Sequence, residues 1–341
     1  MNPIAKIKIG RTDVMVSCLG FGGVPLGGLY KDVSEFEAGS TVRRALDLGI
    51  NYFDTAPIYG FGKSEIRLGR ELARRSRDSI VVATKVGYTL VPEDGGLDEK
   101  VFHRFDNVPP MRPVFDYSYD GIMRTFDDSL HRLNLSHVDI LNIHDPDDHW
   151  EEAIKIVYPA LHKFRSEGVV RAIGVGMNQA EMLARFASEG DFDCLLVAGR
   201  YTLIDQTALR ELLPICERKG ISVIIGGPYN SGILATGARP GATYNYVDAP
   251  PDVMERVAAI EAVCARYSIP LQAAALQFPL AHPAVASIIP GARSVAEVEE
   301  NFRLLSLSIP NDLWEELQHL KLLPAEVSVP RLEQLPRGAV S

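Results

Sequence analysis

Short apolar runs alternate with longer amphipathic stretches along most of the chain, and this alternation sets the expected elements. Two β-rich segments, 5–9 and 14–17, flank the turn Gly10-Arg11-Thr12-Asp13 and predict an N-terminal β-hairpin. Strand-like runs follow at 18–22, 51–54, 80–85, 138–143, 170–175, 194–198, 222–226 and 285–289. Between them, segments such as 35–48 and 119–133 place apolar residues at the three-to-four spacing of amphipathic helices. Gly49 and Gly220 stand where helix C-caps are expected. Val81-Val82-Ala83 is apolar without alternation, as in a parallel strand covered on both faces. About eight strand-then-helix units predict an α/β fold closed into a (β/α)8 TIM barrel. No low-complexity linker divides the chain, so residues 1–341 are expected to form one domain. The competing arrangement, a doubly wound open sheet, usually carries a glycine-rich phosphate turn after its first strand. Gly20-Phe21-Gly22-Gly23-Val24-Pro25 matches that turn only in part, with Pro25 in place and the third glycine missing.

Two stretches, 87–116 and 231–251, read as long loops, and loops of that length are often lids or substrate walls. Phe102, His103, Arg104 and Phe105 in the first are candidate substrate contacts. A C-terminal extension beyond Leu323, rich in proline, is expected on the surface.

Composition narrows the class. With 46% hydrophobic and 23% charged residues, the 341-residue chain has ample material for a core. A net charge of −9 argues against nucleic acid as a partner, because phosphate binding needs a basic surface. No stretch approaches the roughly 20 apolar residues of a membrane span. Met1-Asn2-Pro3-Ile4-Ala5-Lys6 lacks the apolar core of a secretory signal. Cys18, Cys194, Cys216 and Cys264 are scattered without metal-ligand or redox spacing. These features predict a cytoplasmic, reduced, metal-free protein; they leave its oligomeric state open.

Four polar residues carry the candidate chemistry. Asp54, Lys85 and His144 lie at or beside the ends of strand-like runs, and Tyr59 follows Asp54 in the loop Thr55-Ala56-Pro57-Ile58-Tyr59-Gly60. In a parallel barrel all four emerge at the carboxyl end of the sheet, where such folds place their chemistry. An unperturbed tyrosine titrates near ~10, and a neighbouring ammonium is expected to lower that value. Asp54, Lys85 and Tyr59 therefore read as a proton relay, with His144 positioning a carbonyl or hydroxyl oxygen. Such a set suits the interconversion of a carbonyl and an alcohol, for which a nicotinamide must carry the hydride. Taken singly, each residue also has a bland reading as a cap, a strand-end charge or a packing group.

The run Asn51-Tyr52-Phe53-Asp54-Thr55-Ala56-Pro57-Ile58-Tyr59-Gly60 resembles the signature of the aldo-keto reductase superfamily. Thr84-Lys85, His144 and Ile289-Pro290-Gly291-Ala292-Arg293 match it as well, so the similarity runs from about Ala5 to Leu305. The resemblance implies a TIM barrel and NAD(P)-dependent oxidation or reduction of an aldehyde, ketone or sugar. It implies Tyr59 as acid and base, tuned by Lys85 and Asp54, with His144 orienting the substrate. The stretch from Phe115 to Arg124 is similar to the aldose dehydrogenase branch, which includes L-fucose or D-threo-aldose 1-dehydrogenases and pyridoxal 4-dehydrogenases.

Carried onto this chain, the resemblance assigns Asn178 to the nicotinamide carboxamide and Gly22 and Gly23 to backbone approach to the nicotinamide. It assigns Gly227, Ser231 and Gly232 to the pyrophosphate side, with Glu300 and Asn301 at the adenine. Gly226-Gly227-Pro228 stands where many relatives carry an aromatic that stacks on nicotinamide, leaving Tyr229 or Tyr201 as substitutes. NADP-using relatives commonly carry lysine and arginine at the positions held here by Gly291 and Glu297. A carboxylate repels a 2′-phosphate and accepts hydrogen bonds from a ribose diol, so NAD is preferred. Arg293 is near enough in sequence to keep NADP open. Asp145, Arg200 and Asn230, with Tyr59 and His144, are candidate substrate contacts, and His149 and Trp150 wall the pocket or pack.

The expected activity is oxidation of the anomeric C1 hydroxyl of a free aldose to a lactone. The alternatives are a pyridoxal 4-dehydrogenase acting on the cyclic hemiacetal, a broad aldehyde or ketone reductase, and a non-catalytic nucleotide-sensing subunit.

Overall fold

The computed structural model describes residues 1–93 and 105–331. The expected N-terminal hairpin forms from β1 (Lys6–Lys8) and β2 (Met15–Ser17), paired antiparallel. Eight parallel strands then make one sheet in chain order: β3 (Phe21–Gly22), β4 (Tyr52–Asp54), β5 (Val81–Val86), β8 (Ile140–His144), β9 (Ala172–Met177), β10 (Cys194–Ala198), β11 (Ser222–Gly226) and β14 (Val285–Ile289). The first and last strands meet through two isolated bridges, Leu19–Ile288 and Gly22–Gly291, which close the sheet into a barrel. Ser287 reinforces this seam, its hydroxyl donating to the carbonyls of Ser17 and Cys18 at 2.9 and 3.1 Å.

Helices cover the outside. Ser34 and Glu37 form a reciprocal capping box at the start of the helix Glu35–Asp47. Ser118 caps Tyr119–Leu133, which ends on a left-handed Asn134. Gly220 ends Leu212–Lys219 in the left-handed conformation expected of it, with φ of 66°.

Alternation along the strands separates two cores. Phe53, Val82, Val86, Leu141, Ile143, Ile173, Val175, Leu195 and Val197 face outward onto the helices. Tyr52, Val81, Ala83, Ile140, Ala172, Cys194, Leu196, Ile224 and Ala286 fill the interior. Ile9, Val14 and Val16 of the hairpin join that inner cluster, so the hairpin plugs the amino end of the barrel. Because side chains alternate with a period of two, Asp54, Lys85 and His144 continue the inward rows begun by Tyr52, Val81 and Ile140.

Several expectations change. The expected loop 87–116 contains a second hairpin, β6 (Tyr88–Pro92) with β7 (Met111–Phe115), in which Pro113 sits opposite Leu90. The expected loop 231–251 contains a third, β12 (Thr243–Tyr244) with β13 (Val247–Asp248). The fifth barrel strand runs 172–177 rather than 170–175, because its pairing with β10 extends to Met177. The extension beyond Leu323 is not all surface, since Val327 and Pro330 are buried. Among the described residues, no helix is long and apolar enough to cross a membrane.

Candidate active site

Asp54, Lys85 and His144 end their inward rows at the carboxyl mouth, and the loop after β4 brings Tyr59 over them. That loop turns sharply. Gly60 has φ of 63°, and a Cβ there would lie 2.2 Å from the Gly27 carbonyl oxygen, so only glycine fits. The Lys85 stem passes Gly176, where a Cβ would lie in ordinary van der Waals contact with Lys85 Cε at 3.5 Å.

The Lys85 ammonium donates to Asp54 Oδ1 at 2.6 Å and to the Thr55 carbonyl at 2.8 Å. It also lies 4.6 Å from the centroid of the Tyr59 ring, in cation–π range. Both members of the ion pair are buried, at 1% and 3% side-chain exposure, which makes their pairing obligatory. The His144 ring meets Tyr59 edge-on, with centroids 5.7 Å apart. The backbone of His144 is held by the Tyr117 hydroxyl, which donates to its carbonyl at 2.9 Å.

Electrostatics modifies the expected relay. Burial pushes the Tyr59 phenol well above its ordinary value, and the Asp54, Asp145 and Tyr246 side chains add to the rise. Asp54 neutralises Lys85 in part, so burial and the carboxylates outweigh the ammonium. The phenol therefore rests protonated, contrary to the expectation that Lys85 lowers it. Burial, with Lys85 nearby, holds His144 well below its ordinary value, so the imidazole is neutral. Burial and the neighbouring Asp147 push the Asp145 carboxyl up to about 7, with Lys85 acting the other way. Asp145 has φ of 41° and lies with Oδ2 3.7 Å from His144 Nε2, half-buried at the mouth.

Sequence reasoning missed an aromatic wall beside this group. Tyr88 meets both His144 and Phe115 edge-on at 5.8 and 5.5 Å. The Phe115 ring stacks on His149 at 3.9 Å. The alternation Phe115-Asp116-Tyr117 after a proline-rich stretch was the available signal. Trp150 instead packs in the helical layer, on Phe186 and under Arg185. Phe105 packs near Phe61 at the rim; Phe102, His103 and Arg104 lie outside the described residues.

The residues expected to hold the dinucleotide fall along one side of the mouth. Gly227, Asn230, Ser231 and Gly232 all have positive φ, and a Cβ on Gly232 would meet nothing within 4 Å. The backbone turns sharply here and leaves the space beside Gly232 open, although the N–H groups of Asn230 and Gly232 already donate to the Gly227 and Tyr229 carbonyls at 2.9 and 3.0 Å. The glycines of the seam have an internal reason to lack side chains. A Cβ on Gly22 would meet the Ile289 carbonyl oxygen at 2.7 Å, one on Gly23 the Ser64 hydroxyl at 2.7 Å, and one on Gly291 the Pro25 ring at 2.5 Å.

Glu297 accepts from the Arg293 backbone at 2.8 Å and faces its guanidinium at 3.4 Å. Glu300 is paired with Arg303, and buried Asn301 accepts from the Tyr229 hydroxyl at 2.7 Å. Tyr201, a candidate for the missing stacking aromatic, is fully buried against Phe278 and is removed from that role. Arg200, expected at the substrate, donates instead to the Asn178 carbonyl at 2.8 Å, to Asp205 at 3.1 Å and to Asn245 at 2.9 Å. Asn230 is buried, donating to the Gly199 carbonyl at 3.0 Å.

Three buried polar atoms around the mouth have no protein partner: Asp54 Oδ2, His144 Nδ1 and Asn230 Oδ1. Unsatisfied groups of this kind are costly unless a ligand or water meets them. These unmet atoms at the mouth fit a polar ligand such as a nicotinamide dinucleotide beside the tetrad.

Residues 18–321 match the model of the aldo/keto reductase family. A pyridoxal 4-dehydrogenase from Microbacterium luteolum is 37% identical over 92% of this chain and 96% of its own. A D-threo-aldose 1-dehydrogenase from a Pseudomonas species is 39% identical over 91% and 95%. Among solved structures, a glycerol dehydrogenase from Gluconobacter oxydans superposes with a TM-score of 0.75 at 25% identity, covering 97% of this chain and all of that one.

Proposed function

The chain belongs to the aldo/keto reductase family, whose members use nicotinamide cofactors, and from that membership we propose that it oxidises the anomeric hydroxyl of a free aldose to the lactone, preferring NAD. One observation carries the reading: the buried Lys85–Asp54 pair lies beneath the ring of Tyr59, which faces a neutral His144 across the mouth. A bound nicotinamide supplies the acceptor for hydride from the anomeric carbon. Tyr59 gives its phenol proton to the carbonyl oxygen in the reducing direction. In the oxidising direction that resting proton first leaves to solvent at the mouth, and the phenolate then takes the hydroxyl proton, while His144 orients the reacting oxygen. Lys85 and Asp54 hold the phenol in place and exclude water beneath it. Gly227, Ser231 and Gly232 would cradle the pyrophosphate, Asn178 the carboxamide, and Asn301 the adenine once Tyr229 releases it. Glu297 beside Arg293 favours a ribose diol over a phosphate.

Two features support a hydroxyl-rich ring as substrate. The Asp145 carboxylate offers an acceptor to sugar hydroxyls, and Tyr88 and Phe115 offer a flat apolar wall to the C–H face of a ring. The same wall suits the pyridine ring of pyridoxal, whose cyclic hemiacetal presents an equivalent ring alcohol, so pyridoxal oxidation is the second reading.

A spectrophotometric panel of aldoses, pyridoxal and simple aldehydes with both dinucleotides separates these readings. NADH formation with L-fucose or D-arabinose and little with pyridoxal supports the first, and the reverse selects the second. Aldehyde reduction with NADPH far exceeding any sugar oxidation replaces both with a reductase. Dinucleotide binding without turnover of any substrate replaces them with a nucleotide sensor.

A further inference from the structure

We propose that Tyr246, at the tip of the β12–β13 hairpin, closes the substrate pocket opposite the aromatic wall and determines which aldoses fit, with Arg200 as the residue that positions it. The inference rests on the proposed aldose oxidation.

The hairpin is small, with two residue pairs, Thr243–Asp248 and Tyr244–Val247. Its turn residues Asn245 and Tyr246 have φ of 48° and 66°, the two successive left-handed residues of a tight turn that matches strand twist. A hairpin this short has little stability of its own in water. Polar bonds to the mouth fix it in place. Thr243 donates to the Ser231 carbonyl at 2.7 Å, and the backbone N–H of Tyr246 donates to the Ser231 hydroxyl at 3.0 Å. Tyr244 donates to Asp205 at 3.1 Å, and Arg200 donates to Asn245 at 2.9 Å.

The Arg200 guanidinium is itself pinned by Asp205 and by the Asn178 carbonyl. Arg200 thus ties together the loops after β9 and β10 and the hairpin inserted after β11. All three lie at the carboxyl end of the barrel, so the turn is held over the mouth rather than out in solvent.

The Tyr246 phenol lies close enough to Tyr59 to add to the rise in the latter's proton affinity. It nonetheless remains 41% exposed, and Val247 beside it is 61% exposed. An aromatic held near a reactive phenol with part of its surface uncovered presents an apolar face to a sugar ring. Ser231, which holds the hairpin, also belongs to the turn proposed to cradle the pyrophosphate.

The experiment compares Tyr246→Ala, Arg200→Gln and Arg200→Lys with wild type, using whichever aldose in the panel the wild type oxidises fastest. Tyr246→Ala should raise the KM for that aldose about five- to tenfold, with a smaller effect on kcat, and leave dinucleotide affinity within about twofold. Arg200→Gln should shift the aldose KM in the same direction, and Arg200→Lys should recover part of the loss. The Tyr246→Ala/Arg200→Gln double variant should be no worse than the poorer single variant, because both changes release one contact. Unchanged aldose KM in Tyr246→Ala, or a loss confined to dinucleotide affinity, overturns the inference. A wild type that oxidises no aldose but reduces aldehydes rejects the sugar reading alone, and the same KM comparison is then made on the aldehyde. A wild type that turns over nothing in the panel rejects both.

Discussion

Tyr59 rests on a buried ion pair yet keeps its proton, because burial and the nearby carboxylates outweigh the ammonium beneath it. Removing its hydroxyl should cost at least the 10²–10⁴-fold typical of a positioned acid or base. Tyr59→Phe is expected to lose turnover on that order while dinucleotide affinity, followed by fluorescence titration, stays within about twofold; retained turnover would reject the assigned role. Asp145 gives a pH signature. Its carboxyl is pushed up to about 7, against roughly 3.9 in an unfolded chain. Between those values the unfolded state releases a proton that the folded state keeps, so stability falls as pH rises from 4 through 7. Asp145→Asn should therefore raise Tm by a few degrees at pH 8, with the gap closing near pH 4; a gap that does not change with pH contradicts the assignment. At the ribose end, Glu297→Arg should move the ratio of kcat/KM for NADP over NAD upward by about tenfold or more, since it replaces a repelled carboxylate with a second cation beside Arg293. An unmoved ratio would discredit Glu297 as the determinant.

Strands and helices with a strong period were legible in the sequence, and so was the tetrad, because inward alternation carries Asp54, Lys85 and His144 to the same end. The two inserted hairpins were not. In β6–β7 the prolines and turn formers between residues 92 and 113 read as loop, although Pro113 is tolerated on a two-stranded edge where its missing N–H costs no bond. In β12–β13 the strands are two residues each, too short to leave a period of two. Arg200 read as a substrate contact because a sequence shows a cation but not which carbonyls it meets. Long-range pairings of that kind, like Tyr229 with Asn301, leave no local signature. Packing between elements is equally invisible until backbones touch. Gly69, on the helix Lys63–Leu72, faces the end of the helix Tyr119–Leu133, and a Cβ there would lie 2.2 Å from the Leu133 carbonyl oxygen. Helix propensity alone would make Gly69→Ala stabilising by about 1 kcal/mol. Overpacking costs about 1–3 kcal/mol and opposes that gain. With so close an approach to backbone, the clash is expected to win, giving a lower Tm in thermal denaturation; a raised Tm would show that the two helices can part cheaply.

The barrel divides its labour between its ends. Chemistry gathers at the carboxyl mouth, whereas the amino end is tied by buried charge. Asp139, 1% exposed, accepts from Arg77 at 2.6 Å, from Arg171 at 3.0 Å and from the Val82 backbone at 2.8 Å. Asp139→Asn leaves Arg77 without its counter-charge, while Arg171 keeps Asp13, and should cost about 1.5–3 kcal/mol. The expected result is a Tm lower by several degrees with KM and kcat at 25 °C close to wild type; a variant as stable as wild type would mean the pair contributes nothing net. The seam has a consequence of another kind, felt during synthesis. β3 is synthesised long before β14, its neighbour across the seam. While the nascent chain waits, β3 and β11 each present an unpaired edge able to recruit a strand from another copy. A message cut short before residue 285 would therefore yield sticky, chaperone-dependent fragments rather than a smaller working barrel.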